Sequence, residues 1–420
     1  MDAFVIKGGR RLSGTLRVGG SKNSVLPILA ASILADKGES IIHDVPNLRD
    51  TNIILQLLEA IGCKVNWNRE TRTVTINAEN LTDYVAPYDL VRQMRASFLV
   101  LGPMLARMGK AKVSLPGGCS LGQRPVDLHL KGFQKLGASV KEEAGYVVAE
   151  CERLDGGVFC FDRPSHTGTE NIMTGAVTAS GTTTIINAAM DPEVVDVANF
   201  LNKMGASIEG AGTATIVIKG VKKLTAVEHN PIPDRLVVGT YMAACAATGG
   251  EITVENADPS HLGIVIQKFI EMGCEIQANG SRLSIKAPKR LNPFDLITIP
   301  YPGFPTDLQA CFTVLATIAK GTCHIRETIF EDRFSHAMEL IRLGAKINIS
   351  GDSAVIEGVK NLTGTIVMAS DIRAGAGMVI AGLAAKGETT VRRVYHVDRG
   401  YEQIEEAFVS LGADIKREKE

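Results

Sequence analysis

Hydrophobic and polar positions along the 420-residue chain fall into one pattern that recurs six times. Each copy carries a stretch that is apolar on nearly every face, such as "VLPILAASILA", "SFLVLGPMLARM", "VVGTYMAACAAT", "CFTVLATIA" and "GMVIAGLAA". A helix of that kind belongs inside a domain rather than on its surface. A glycine and a short alternating run follow, as in "KGESIIHDV" and "KGETTVRRV", and predict a strand. An amphipathic helix comes next, and it ends in a recognisable phrase.

The phrase reads "AIGCKV" from residue 60, "KLGASV" from 135, "KMGASI" from 203, "EMGCEI" from 271, "RLGAKI" from 342 and "SLGADI" from 410. Its glycines, at 62, 137, 205, 273, 344 and 412, are spaced 68 to 75 residues apart. Glycine just past the last apolar turn of a helix accepts the left-handed C-cap conformation. A spacing this regular marks a structural unit. One unit therefore reads helix, strand, helix, strand, strand, with the first helix covered by the rest.

A chain of this length exceeds one ordinary core, so six units divide into two groups of three. The segment "VEHNPIPD" (227–234) has two prolines and no period, and glycines 19 and 20 mark a second crossing. The expected domains are 22–230 and 1–21 plus 231–420, with a cleft between them. The early strands (2–18) are expected to pair with the last repeat and close the array.

Composition narrows the function. A formal net charge of −1 gives no long-range attraction to nucleic acid or membranes, so any anion site must arise from local clustering. One tryptophan, Trp67, and 5% aromatic residues argue against a base-stacking surface. No apolar run approaches the roughly 18 residues of a membrane span. The N-terminal "MDAFVIKGGRRLSG" lacks a signal core, and the eight cysteines form no CxxC pair and no metal spacing with histidine. Reduced thiols in the cytoplasm are expected, with no metal, no cofactor, no nucleic acid and no membrane partner.

Charge clusters locally at the helix starts. Lys22 in "GGSKNS", Arg95 in "QMRAS", Arg235 in "PDRLV" and Arg373 in "SDIRAG" open interior helices of four repeats. A cation there opposes the helix dipole by a few tenths to about 1 kcal/mol. Repeated at matched positions, it suits a site for a multiply charged anion; singly, each reads as a solvated side chain. Arg333 in "FEDRF" and Arg399 in "HVDRG" occupy equivalent linkers, where each has an adjacent acid, Asp332 or Asp398, as an alternative partner. Asp307 in "GFPTDLQA" and Asp371 in "ASDIRAG" stand at matching helix starts. They can cap their helices or serve as a general base beside the cations.

One cysteine stands apart. Cys119 lies in "LPGGCSLGQRPVD", after a glycine pair and five residues before Arg124. Together with "GGSKNSVLP" (19–27), "MRASFLVLGPMLARMG" (94–109), "PGGCSLGQRPVDLHLKGFQKLGA" (116–138), "GFPTDLQA" (303–310), "ETIFEDRFSHAMEL" (327–340) and "YHVDRGYE" (395–402), it gives the chain a resemblance. The chain closely resembles the UDP-N-acetylglucosamine 1-carboxyvinyltransferases, a branch of the enolpyruvyl transferases, over essentially its whole length.

The resemblance implies a two-domain inside-out α/β barrel, with six βαβαββ repeats, three per domain, and an active site between the domains. It implies transfer of the enolpyruvyl group of phosphoenolpyruvate to the 3′-hydroxyl of UDP-N-acetylglucosamine, through a tetrahedral ketal, with loss of phosphate. That reaction commits material to peptidoglycan, and hence to cell shape and division. Lys22, Asn23, Arg95, Arg124, Arg333, Arg373 and Arg399 are assigned to phosphoenolpyruvate. Asp307 is assigned as the base, and Cys119 as proton donor or product-release residue and as the thiol alkylated by fosfomycin. Catalysis thus falls to Cys119, Asp307, Lys22 and Arg399. UDP-N-acetylglucosamine is assigned to Asn23, Arg95, Arg124, Pro125, Val126, Asp127, Leu128, His129, Ser165, Gly168, Thr169, Asp307, Ile329 and Phe330, in a monomer. At "SHTGTEN" (165–171) the chain departs from the Ser-Val-Gly-Ala-Thr of many members, and His166 has no assigned role.

Three rivals are weaker. A 5-enolpyruvylshikimate-3-phosphate synthase would carry more serine and an arginine after its opening lysine, where this chain reads "SKNSVLPIL". A non-catalytic UDP-sugar-binding paralogue would have lost Cys119, Asp307 or the arginines. An RNA-end-processing protein needs a basic aromatic surface.

Overall fold

The computed structural model describes residues 2–115 and 126–419, so Cys119, Arg124 and Pro125 lie outside the described residues. The chain forms two compact units, one from residues 20–115 and 126–232, the other from 2–19 and 233–419.

In the first unit, three helices pack on one another: Lys22–Ala31, Leu101–Met108 (extended at its start by the 3-10 turn Arg95–Val100) and His166–Ala176. Lys22–Ala31 is buried at every position except Asn23, which explains a sequence that is apolar all round. Small residues allow the close packing. A Cβ on Gly102 would lie 2.2 Å from the Asn171 carbonyl oxygen, so no larger residue fits where these two helices meet.

Three four-stranded sheets surround those helices, each built to one plan. An edge strand runs parallel to the strand that follows an interior helix, and two antiparallel strands complete the sheet. In one of them, Glu228–His229 pairs with Glu39–Ile42, then Thr73–Asn77, then Lys64–Asn68. The outer helix Arg49–Ala60 turns Ile53, Ile54, Leu57 and Leu58 inward and leaves Gln56 and Glu59 in solvent. Each such buried aliphatic side chain contributes about 1.5–3 kcal/mol.

The second unit repeats the plan. Helices Arg235–Thr248, Gln309–Ile318 and Ile372–Ala384 pack together inside three further four-stranded sheets. Helices inside and sheets outside is the mixed α/β, inside-out arrangement that the repeat pattern and the resemblance imply. All six phrase-ending glycines adopt φ between 90° and 108°. At Gly205, Gly344 and Gly412 an added Cβ would meet nothing within 4 Å, so backbone conformation alone selects glycine there.

The early strands divide. Asp2–Lys7 pairs antiparallel with Glu388–Arg392 and Asp414–Lys419, and so enters the last repeat's sheet as expected. Ser13–Arg17 does not; it pairs in parallel with Glu251–Glu255 of repeat four. The reason lies in the crossings. Every interior helix needs a parallel strand beside the strand it leads into. Helix Arg235–Thr248 takes Ser13–Arg17 for that place, while the strand before it in sequence, Glu228–His229, serves repeat one.

Candidate active site

Asp307 lies in the 3-10 turn Thr306–Leu308, which leads into helix Gln309–Ile318. Its Oδ1 accepts from Arg333 Nη2 at 3.1 Å and its Oδ2 from Arg373 Nε at 3.1 Å. Both guanidiniums are buried, whereas the carboxylate keeps 28% of its side-chain surface. Arg373 also donates to the Tyr401 hydroxyl at 3.0 Å, which contacts Thr240 Oγ1 at 2.9 Å. Burial alone would lower the pKa of Arg373, but Tyr401, Asp307 and Asp234 outweigh it and raise the value. The guanidinium therefore stays charged.

The matched acid behaves differently. Asp371 caps helix Ile372–Ala384, accepting from the Arg373 and Ala374 amides at 2.8 and 3.1 Å. Asp234 caps Arg235–Thr248 in the same way, and Arg235 sits 5.1 Å from the Tyr301 ring. These caps offset the cost of a cation at a helix start. Asp307 makes no such bond to its helix.

The adjacent-acid alternatives do not form. Arg333 turns to Asp307, with its guanidinium 5.6 Å from the Phe330 ring, and Asp332 is exposed. Asp398 is taken by Arg417 at 2.6 and 3.0 Å, and Arg399 ends the turn Val394–Arg399 half-buried. Ile329 and Phe330 are half-buried in the loop after strand Thr322–Glu327.

In the unit of residues 20–232, Lys22 is buried at the first position of its helix, and its Nζ lies 3.3 Å from Asp50 Oδ2. Asn23 and Arg95 are half-buried. Beneath Lys22, Ser24 donates to Asp196, which also accepts from His229 Nε2 at 2.9 Å and from the Ile232 amide at 3.0 Å. Val126 is buried; Asp127 and Leu128, half-buried, open helix Asp127–Lys135, with Asp127 3.4 Å from Lys131. His129 is buried between Asn171 Nδ2 at 3.0 Å and Thr167 Oγ1 at 3.4 Å. Burial, and then Arg95, push its pKa down to about 3, so its imidazole is neutral.

Ser165 caps helix His166–Ala176 by accepting from the Gly168 amide, and the Thr169 hydroxyl accepts from the Ala189 amide. Thr169 is fully buried, so its hydroxyl already has a structural duty. Five thiols among the described residues, Cys63, Cys245, Cys274, Cys311 and Cys323, are buried; burial pushes the first three up to about 12, Cys311 to about 11 and Cys323 upward. Among the described residues, Cys160 is the exposed thiol.

The family model of EPSP synthase (3-phosphoshikimate 1-carboxyvinyltransferase) matches residues 6–408. Finer relatives are nearer. The UDP-N-acetylglucosamine 1-carboxyvinyltransferase of Desulfosudis oleivorans is 50% identical over 417 residues, 99% of each chain. That of Myxococcus xanthus is 50% identical over 420 residues and covers both chains in full.

The chain belongs to the UDP-N-acetylglucosamine 1-carboxyvinyltransferase family.

Solved structures agree on the fold. The enolpyruvyl transferase NikO of Streptomyces tendae superposes with a TM-score of 0.90 at 26% identity, over 99% of this chain and 98% of that one. The EPSP synthase of Acinetobacter baumannii gives 0.76 at 18% identity over the full length of both, which speaks to the fold alone.

Two features of this member were not assigned from sequence. His166 opens the third interior helix, the place that Lys22, Arg235 and Arg373 mark in other repeats. Its Nε2 lies 3.1 Å from Glu170 Oε1 and its Nδ1 3.5 Å from Asp191 Oδ1. Burial lowers its pKa, but the Glu170 and Asp191 carboxylates raise it well above the usual value. His166, Asp191 and Glu193 bring possible ligand atoms within 4.8 Å of one another. The imidazole thus sits among carboxylates at the start of that helix. The signal was present in the repeat position. The second feature is Glu327, 3% exposed, which the alternation of strand Thr322–Glu327 sets on the same inward face as Cys323 and Ile325.

Proposed function

We propose that the chain transfers the enolpyruvyl group of phosphoenolpyruvate to the 3′-hydroxyl of UDP-N-acetylglucosamine and releases phosphate. The observation that carries this reading is Asp307 held between two buried guanidiniums. Each carboxylate oxygen accepts from one of those guanidiniums, and an ionised carboxylate is a group able to take the proton of a sugar hydroxyl. Arg333 and Arg373 supply charge for an anionic substrate beside that base.

In the first step the sugar oxygen attacks carbon-2 of the enol and gives its proton to Asp307, while an acid protonates carbon-3 to a methyl group. The tetrahedral ketal then loses a proton from that methyl group as the bond to phosphate breaks, which restores the double bond. Cys119 is proposed for the acid or for product release. Lys22, Asn23, Arg95, Arg124 and Arg399 are proposed to hold the phosphate and carboxylate. The segment 125–129, the start of helix His166–Ala176, and Ile329 and Phe330 are proposed for the nucleotide sugar. A cytoplasmic location, roles in cell shape and division, monomeric state and sensitivity to fosfomycin belong to the same reading and rest on the resemblance.

The test is phosphate release from phosphoenolpyruvate with each of two acceptors. Release is expected with UDP-N-acetylglucosamine. Release with shikimate 3-phosphate alone would establish the 5-enolpyruvylshikimate-3-phosphate synthase alternative, and release with neither would favour the non-catalytic paralogue.

A further inference from the structure

We propose that Glu327 is a positioning residue: one buried carboxylate that sets both the Ile329–Phe330 loop and the turn that carries Asp307. The inference rests on the proposed function and assigns a residue that takes no part in the chemistry.

Glu327 is the last residue of strand Thr322–Glu327 and is 3% exposed. Its Oε1 accepts from Thr298 Oγ1 at 2.8 Å, from the Ile329 amide at 2.8 Å and from the Phe330 amide at 3.2 Å. Its Oε2 accepts from Thr306 Oγ1 at 2.9 Å. All four partners are neutral donors. Burying a carboxylate without a cation is costly unless hydrogen bonds hold it, so the arrangement persists only with the donors in place.

Two routes lead from this carboxylate to Asp307. Along the chain, Thr306 is the residue before it and shares its 3-10 turn. Through space, the Phe330 amide is fixed by Glu327, the Phe330 ring lies 5.6 Å from the Arg333 guanidinium, and Arg333 donates to Asp307. The loop is pinned a second time by Thr328, whose amide donates to Thr298 Oγ1 at 3.0 Å. The base and the two residues proposed to meet the nucleotide sugar thus share one anchor. A buried carboxylate suits this duty because it only accepts. A glutamine side chain accepts at one atom and donates at the other, so it can keep the two loop amides while the bond from Thr306 must reverse.

The test compares wild type with Glu327→Gln and Glu327→Ala in steady-state phosphate release, varying each substrate in turn. Glu327→Ala is expected to raise the KM for UDP-N-acetylglucosamine by about 10- to 100-fold, the range for lost hydrogen bonds to a charged group. The KM for phosphoenolpyruvate should stay within about threefold, and Glu327→Gln should recover part of the loss. If the alanine variant does not fold, the split between the two KM values is read on the glutamine variant. Equal rises in both KM values, or a lower melting temperature with unchanged kinetics, would overturn the inference. Wild type that releases no phosphate with UDP-N-acetylglucosamine would instead overturn the proposed function.

Discussion

Replacing Asp307 with alanine separates a general base from a structural ion-pair bridge, and the structure sets the size of each effect. The change leaves Arg333 and Arg373 buried without the carboxylate that bridges them. Breaking a fully buried ion pair costs about 3–5 kcal/mol. Here the carboxylate is 28% exposed, Arg373 keeps the Tyr401 hydroxyl and Arg333 keeps the Phe330 ring, so a loss of about 2–3 kcal/mol is expected. At about 2–4 °C per kcal/mol for a unit of this size, the melting transition should fall by about 4–12 °C. Calorimetry is the suitable assay, because two units need not unfold as one. Turnover of the folded protein, measured well below the transition, should fall by about 10²–10⁴ as the base is lost. The matched change Asp371→Ala removes a cap that accepts two amides; it should cost only about 1 kcal/mol. Turnover of the Asp307→Ala enzyme within tenfold of wild type would refute the base. An unchanged or higher melting temperature would refute the ion-pair bridge.

Fosfomycin should add one mass increment on the peptide bearing Cys119, with labelling unchanged in a Cys160→Ser variant; a label on Cys160, the exposed thiol among the described residues, would count against the loop cysteine. Acid should weaken the fold through two buried neutral histidines, His129 at about 3 and His336 at about 4, both lowered chiefly by burial. Their folded pKa values lie below the unfolded value of about 6.5, so the unfolded chain binds protons that the native chain refuses. Stability should fall as pH drops from about 6.5 towards 4, by up to about 2.7 kcal/mol per pH unit for the pair. His166, whose pKa is raised, opposes the trend only near pH 6.5 and is protonated in both states lower down, while Glu170, whose pKa burial raises, offsets part of the loss. Urea midpoints at pH 6.5 and 4.5 that coincide would refute this account.

The features that sequence reveals here are those where one residue type is physically required. Positive φ at six helix ends demands glycine, so the repeat could be counted from its phrase. Enclosed helices favour apolar residues all round, so five of the six were equally legible; the third, His166–Ala176, buries Thr169, Glu170, Asn171 and Thr174 and departs from that pattern. Strand exchange at the crossings was not, because six similar strand patterns carry no label for the sheet each joins. Ser13–Arg17 looks like a partner for the last repeat and lies in repeat four's sheet instead. Repeat equivalence has a second limit, visible in the two acids. Asp307 and Asp371 occupy the same place in the pattern, yet a 3-10 turn displaces Asp307 from its helix amides, whereas Asp371 sits at an extended N-cap. That local difference in backbone turns one aspartate into a cap and frees the other to bridge two arginines. Buried polar residues such as Glu327 are harder still: the strand's alternation puts it on the inward face, but its charge argues for solvent until its donors are known. The repeat predicts where chemistry can be placed; departures from it, at Asp307, His166 and Glu327, decide which positions carry it.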